Sequence, residues 1–198
     1  MRSSKSVLLS LFALLAVLLC AQPAWAHPGH PGHSFTDGFT HPFSGIDHLL
    51  AMVAVGLLAV RIGGKALWIL PCMFLGGMFL GGILAAMGVP LPAVEQGIQA
   101  SVLILGVLIA LTQIVPLSIG AGLVALFAVF HGYAHAAEMA SGNSWSAYAV
   151  GFLLATAILH FSGVAGGLTL NRWLSSKTVR LTGGLISLAG IFLVCGAL

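Results

Sequence analysis

Six apolar runs, each close to the length of a membrane crossing, fill most of residues 45–198 and leave the chain few ways to fold. They run from Gly45 to Val60, Ala66 to Val89, Gly97 to Val115, Leu117 to Ala137, Ser146 to Leu168 and Val179 to Leu198. A helix needs about 20 apolar residues to cross the hydrocarbon core. The runs lack the period-two alternation of a membrane strand, so the backbone groups of each are satisfied within a helix. Only 6% of the residues are charged, against about a quarter in soluble domains. Too little polar side chain remains to cover a globule. The expected fold class is all-α and polytopic, a bundle of six transmembrane helices. Gly and Pro punctuate the joins, at Gly63-Gly64, Pro90-Leu91-Pro92, Pro116 and Ser141-Gly142.

A polar front precedes the bundle. Met1 to Ala26 has the form of a cleaved signal peptide: Arg2 and Lys5, an apolar stretch from Val7 to Cys20, and the small-residue end Ala24-Trp25-Ala26. Residues 27–44 then form a His-rich periplasmic leader, and residues 45–198 the transmembrane domain. The five remaining Lys and Arg lie in two joins, Arg61 and Lys65 after the first run, Arg172, Lys177 and Arg180 between the fifth and sixth. With six alternating helices both joins fall on one side, and positive loops stay cytoplasmic. The expected location is the bacterial inner membrane, multi-pass, with both termini periplasmic. Cys20, Cys72 and Cys195 form no CxxC pair, which speaks against a disulfide framework or a thiolate zinc site; Cys72 and Cys195 are expected as buried apolar thiols. Small-xxx-small spacings such as Gly77-xxx-Gly81 and Gly163-xxx-Gly167 are read as close-packing helix faces. Three helices on either side of the centre would run in opposite senses, so 3+3 inverted halves are a further expectation.

Ionisable residues inside such runs are costly and mark sites. Two groups stand out. In the first, His41 precedes Pro42, which favours an extended approach with a helix starting just after it. Asp47 and His48 follow, about 100° apart on the helix, with Met52 one turn below His48. In the second, His131, His135 and Glu138 fall at i, i+4 and i+7, on one helix face. His27 with its own amine, His30 and His33 form a metal-capturing tract in the leader. His160 is alone in the fifth run and reads equally well as an interhelical donor or as a ligand.

Imidazole, carboxylate and a thioether suit a divalent first-row ion, with Ni²⁺, Co²⁺ and Zn²⁺ all open. Gly132 stands where a zinc protease of the HExxH type has its Glu, so hydrolysis has no support and the chain is not expected to be an enzyme. It has no nucleotide-binding motif, no basic patch for nucleic acid, and needs no resident cofactor. Its expected partners are the transported ion and the bilayer.

The run His41-Pro-x-x-Gly45-x-Asp47-His48-x-x-x-Met52, the leader starting at His27, and His131-x-x-x-His135-x-x-Glu138 together resemble the HupE/UreJ nickel permeases. The resemblance spans essentially the whole mature chain. It implies inner-membrane uptake of nickel for hydrogenase or urease maturation. It implies that His41, Asp47, His48, His135 and Glu138 are the functional set, with His27 an outer capturing residue. Cobalt is the alternative cargo. An intramembrane metalloenzyme and a non-transporting metal-binding protein are the rivals of other classes.

Overall fold

A computed structural model describes residues 34–111, 113–138 and 145–196. Among the described residues there are seven helices and no strand: α1 (Phe35–Ser44), α2 (Ile46–Ile62), α3 (Ala66–Ala86), α4 (Val94–Ala110), α5 (Leu117–Glu138), α6 (Trp145–Trp173) and α7 (Ser176–Val194). The regular structure of the described residues is therefore all-helical. α3, α5, α6 and α7 are each long and apolar enough to cross a membrane. α1 and α2 meet that test only together, as a pair bent by 81°, and α4 is a shorter apolar helix. The expected signal peptide and the leader histidines His27, His30 and His33 lie outside the described residues.

The outer surface is apolar. Trp68, Phe79, Leu126, Val150 and Phe192 are among the large side chains it exposes. Cys72 and Cys195 also lie on it rather than in the core. In lipid, a thiol is as well placed on an outward face as on an inward one. α2 is the hub. It packs against α3, α4, α6 and α7 and touches α5, and every residue from Leu49 to Val60 except Val53 is buried. The other main pairs are α3 with α5, α4 with α7, and α1 with α6. Exchanging the halves (α2 with α5, α3 with α6, α4 with α7) maps the α3–α5 pair onto α2–α6 and the α4–α7 pair onto itself. The match is incomplete, because α5 has no packing on α6 or α7 comparable to that of α2 on α3 and α4.

Two differences from the sequence reading have a clear physical reason. Residues 35–44 are helical rather than an extended approach to Pro42. Ser34 and Asp37 form a capping box: the Ser34 hydroxyl accepts from the Asp37 amide, and the Asp37 carboxylate accepts from the Ser34 amide. This starts a helix a full two turns before Pro42, which the helix then carries inside itself. The proline costs one backbone hydrogen bond, and the helix ends two residues later. Gly45, at φ −101° and ψ 123°, closes α1 and opens α2. The third run, expected to continue to Val115, is helical only to Ala110. There Arg61 Nε and Nη2 donate to the carbonyls of Ile109 and Leu111, and Arg180 Nε donates to Ala110. Two guanidinium groups thus take the free carbonyls of the helix end, where a positive charge also suits the dipole. The same contacts bring the two basic joins to one end of the bundle.

The glycine faces act as read. A Cβ on Gly81 would fall on the Val129 carbonyl, and one on Gly132 on the Met78 carbonyl, both across the α3–α5 seam. Gly163 meets the Val53 carbonyl in the same way across α2–α6. Gly132→Val should therefore separate α3 from α5. The expected result is loss of the monodisperse species in detergent, read by fluorescence-detected size exclusion, while Gly76→Val, with open space around it, should keep it.

Candidate metal site

The break at Gly45 sets the site. It turns the chain so that His41, near the end of α1, and His48, in the first turn of α2, face α5 together. On α5, His131 and His135 are one turn apart and both buried. The ring centroids of His41 and His135 are 4.7 Å apart, those of His135 and His48 4.5 Å, and those of His48 and His131 4.8 Å. Four imidazoles from three helices thus make one continuous row. The structure brings together four of the residues singled out in the sequence, with Asp47 at their edge.

Hydrogen bonds fix two of the rings. Asp47 Oδ1 accepts from the His48 amide and lies 2.7 Å from His48 Nδ1. A carboxylate only accepts, so Nδ1 carries a hydrogen and Nε2 is the nitrogen left for another partner. His48 Nε2 is buried and has no hydrogen-bond partner among the described residues. This is the carboxylate–imidazole arrangement that orients a metal-binding histidine and raises its basicity. Gly45 makes room for it: a Cβ there would lie 2.8 Å from Asp47 Oδ1 and 3.2 Å from His48 Nδ1.

His131 is held the same way by a residue the sequence reading missed. Ser101 on α4 donates from Oγ to the Ile98 carbonyl at 2.6 Å and lies 3.1 Å from His131 Nε2. With its hydrogen already given, the hydroxyl accepts, so Nε2 of His131 carries the proton. Nδ1 is then the bare nitrogen, and it too is buried with no partner among the described residues. A serine within an apolar run commonly bonds back to its own helix, so sequence alone did not mark Ser101. Ser101→Ala should leave the fold intact and weaken nickel binding by about 3- to 10-fold in equilibrium dialysis, the scale of one neutral hydrogen bond.

His135 stands at the centre of the row. Both its nitrogens lack a partner among the described residues. The Phe152 ring of α6 lies 4.1 Å from it, and it borders a cavity of about 120 Å³ otherwise lined mainly by apolar side chains. The remaining sequence candidates are placed differently. Met52 is fully buried in the apolar core below His48. Glu138 ends α5, and its side chain lies outside what the structure describes. His160 on α6 is fully buried and packs edge-on against Phe74, 4.8 Å away, whose other neighbour is His131 at 5.4 Å.

Six polar residues are buried among the described ones: Ser101, His131, His135, Thr156, His160 and Thr178. His131 and His135 stand in the row, and Ser101 bonds to His131. Buried polar groups without partners are costly, by about 1–3 kcal/mol each, and His135 carries two such atoms and His131 one. Yet no three His, Cys, Asp or Glu side chains among the described residues enclose a single point as a chelating cage. The arrangement offers successive lone pairs, each able to take a cation with few ligands and to give it up again.

Known proteins resemble the chain over most of its length. The family model described as HupE / UreJ protein matches residues 15–193. Protein HupE of Rhizobium leguminosarum bv. viciae is 42% identical over 184 residues, covering 92% of this chain and 95% of that protein. No solved structure matches. The family match and this relative both extend across the helices that carry the imidazole row, and the chain belongs to the HupE/UreJ family.

Proposed function

We propose that this chain is an inner-membrane permease that imports Ni²⁺ for the maturation of nickel enzymes such as hydrogenase or urease. The observation that carries the proposal is the imidazole row, in which His48 Nε2 and His131 Nδ1 are buried with no hydrogen-bond partner among the described residues. The family membership supports the same reading. The six crossings are then the bent α1–α2 pair and helices α3 to α7, with α4 reaching about 25 Å by its length. The clustering of Arg61 and Arg180 at one end supports a cytoplasmic placement of that end and periplasmic termini.

In this reading His27 and His30 of the leader collect the ion, and His41, Asp47 and His48 receive it. His135 and His131 pass it on, with Glu138 as an added carboxylate on the same helix. Neutral nitrogen ligands suit Ni²⁺, and serial sites with few ligands each allow exit as well as entry. Cobalt has the same ligand preferences and is the competing cargo.

The test is flux through the purified chain in liposomes that enclose a nickel-responsive dye. Saturable entry that scales with protein content is the expected result. Saturable binding with no entry would contradict the proposal and favour a metal-binding protein that does not transport.

A further inference from the structure

The imidazole row does not end at His131. Beyond it stand Phe74 and then His160, which the reading above does not use. His160 is fully buried, and neither of its nitrogens has a hydrogen-bond partner among the described residues. One turn earlier on the same helix lies Thr156, also fully buried, whose hydroxyl is likewise without a partner. That is unusual for a hydroxyl inside a helix, which ordinarily donates to a carbonyl three or four residues back. Further along α6 this is what happens: Ser162 donates to Leu159 and Thr169 to Ala165, each at 2.7 Å. Thr156 does not.

The two groups share one face of α6 with Phe152, at i, i+4 and i+8. Phe152 packs on His135, so this face follows the row inward from its centre. α2 and α6 run in the same direction, since Gly56 meets His160 and Gly167 meets Val60. The backbone of His160 therefore lies level with Gly56, eight residues past His48 and roughly 12 Å further along α2. Side chains tilt toward the start of their helix, which turns the His160 ring back toward Phe74 and the row.

We infer that His160 and Thr156 form a second, inner station for the divalent ion, separated from the outer row by the Phe74 ring. The inference rests on the permease reading. One imidazole and one hydroxyl make a weak site, in which most of the ion's remaining ligands would be water. Such a site suits a last stop before release. The Phe74 ring contacts both His131 and His160, so its rotation would decide whether the two stations communicate. Transfer between them exchanges one neutral imidazole for another and needs no proton or redox partner.

The test pairs two measurements on the full chain: equilibrium binding of radiolabelled nickel in detergent and nickel flux in liposomes. The variants are His160→Phe, which keeps an aromatic ring without ligating nitrogens, and Thr156→Val, which preserves shape. His160→Phe should bind nickel at the outer row within about threefold of the wild type and lose tenfold or more of the flux. Thr156→Val should lower flux by about threefold. His160→Phe flux within twofold of the wild type would overturn the inner station. So would loss of binding and flux together, since His160 would then belong to the outer site. If His160→Phe does not fold, His160→Asn with Thr156→Val decides on the same criteria. Absence of flux in the wild type would instead refute the permease reading, so the two failures are distinguishable.

Discussion

His48→Ala is expected to reduce nickel uptake to the background of cells lacking the protein, with the same amount of chain in the membrane. Among the described residues, only the His48 ring touches both histidines of α5. Its removal breaks the row at the point where the broken first span meets the bundle. The fold should tolerate the loss, because His48 is partly exposed, at 14%, and among the described residues its side chain hydrogen-bonds only to its sequence neighbour Asp47. Asp47→Asn should act through the same ring. It keeps an acceptor near Nδ1 but removes the charge that holds the tautomer and raises the basicity of Nε2. Loss of such an outer partner commonly costs 10- to 100-fold in metal affinity. The expected order of uptake is wild type, then Asp47→Asn, then His48→Ala. If Asp47→Asn transported as well as the wild type, the pairing would be structural only.

The second large effect is at His135, and here function and stability should move in opposite directions. Both nitrogens of this buried ring lack partners among the described residues. Leaving a buried polar group unpaired costs about 1–3 kcal/mol, whereas an apolar group of the same shape does not carry that penalty. His135→Phe keeps a ring against His41, His48 and Phe152. Uptake should fall to background, while the thermal midpoint in detergent stays unchanged or rises by a few degrees, at about 2–4 °C per kcal/mol for a chain of this size. A residue retained at a cost to stability is what a transport site requires. A fall in midpoint of more than about 5 °C, or uptake that persists, would mean that the imidazole serves packing.

Much of this is legible in the amino-acid sequence. Uninterrupted apolar runs force helices, and ionisable residues within them mark a site, so His41, His48, His131 and His135 could be named from spacing and cost alone. What the sequence hid was short-range geometry. The capping box at Ser34 and Asp37 starts a helix that the Pro42 rule argues against, because a local nucleus outweighs one lost hydrogen bond. The early end of α4 depends on Arg61 and Arg180, 48 and 71 positions away from Ile109 in sequence, and no local signal carries that. Ser101 and Phe74 are ordinary residues of apolar helices until α5 and α6 pack beside them. Asp47 and His48 point in different directions around a helix, and only the flexible carboxylate brings them together.

The most direct measurement is uptake of radiolabelled nickel in cells that lack their own nickel importers, with excess cobalt and zinc as competitors. Wild type, His48→Ala and Arg172→Gln are compared at matched membrane abundance. Saturable uptake that resists cobalt, is lost in His48→Ala and is kept in Arg172→Gln is the predicted result. Uptake suppressed by cobalt would make cobalt the cargo, and no uptake by an inserted wild-type chain would contradict the permease itself.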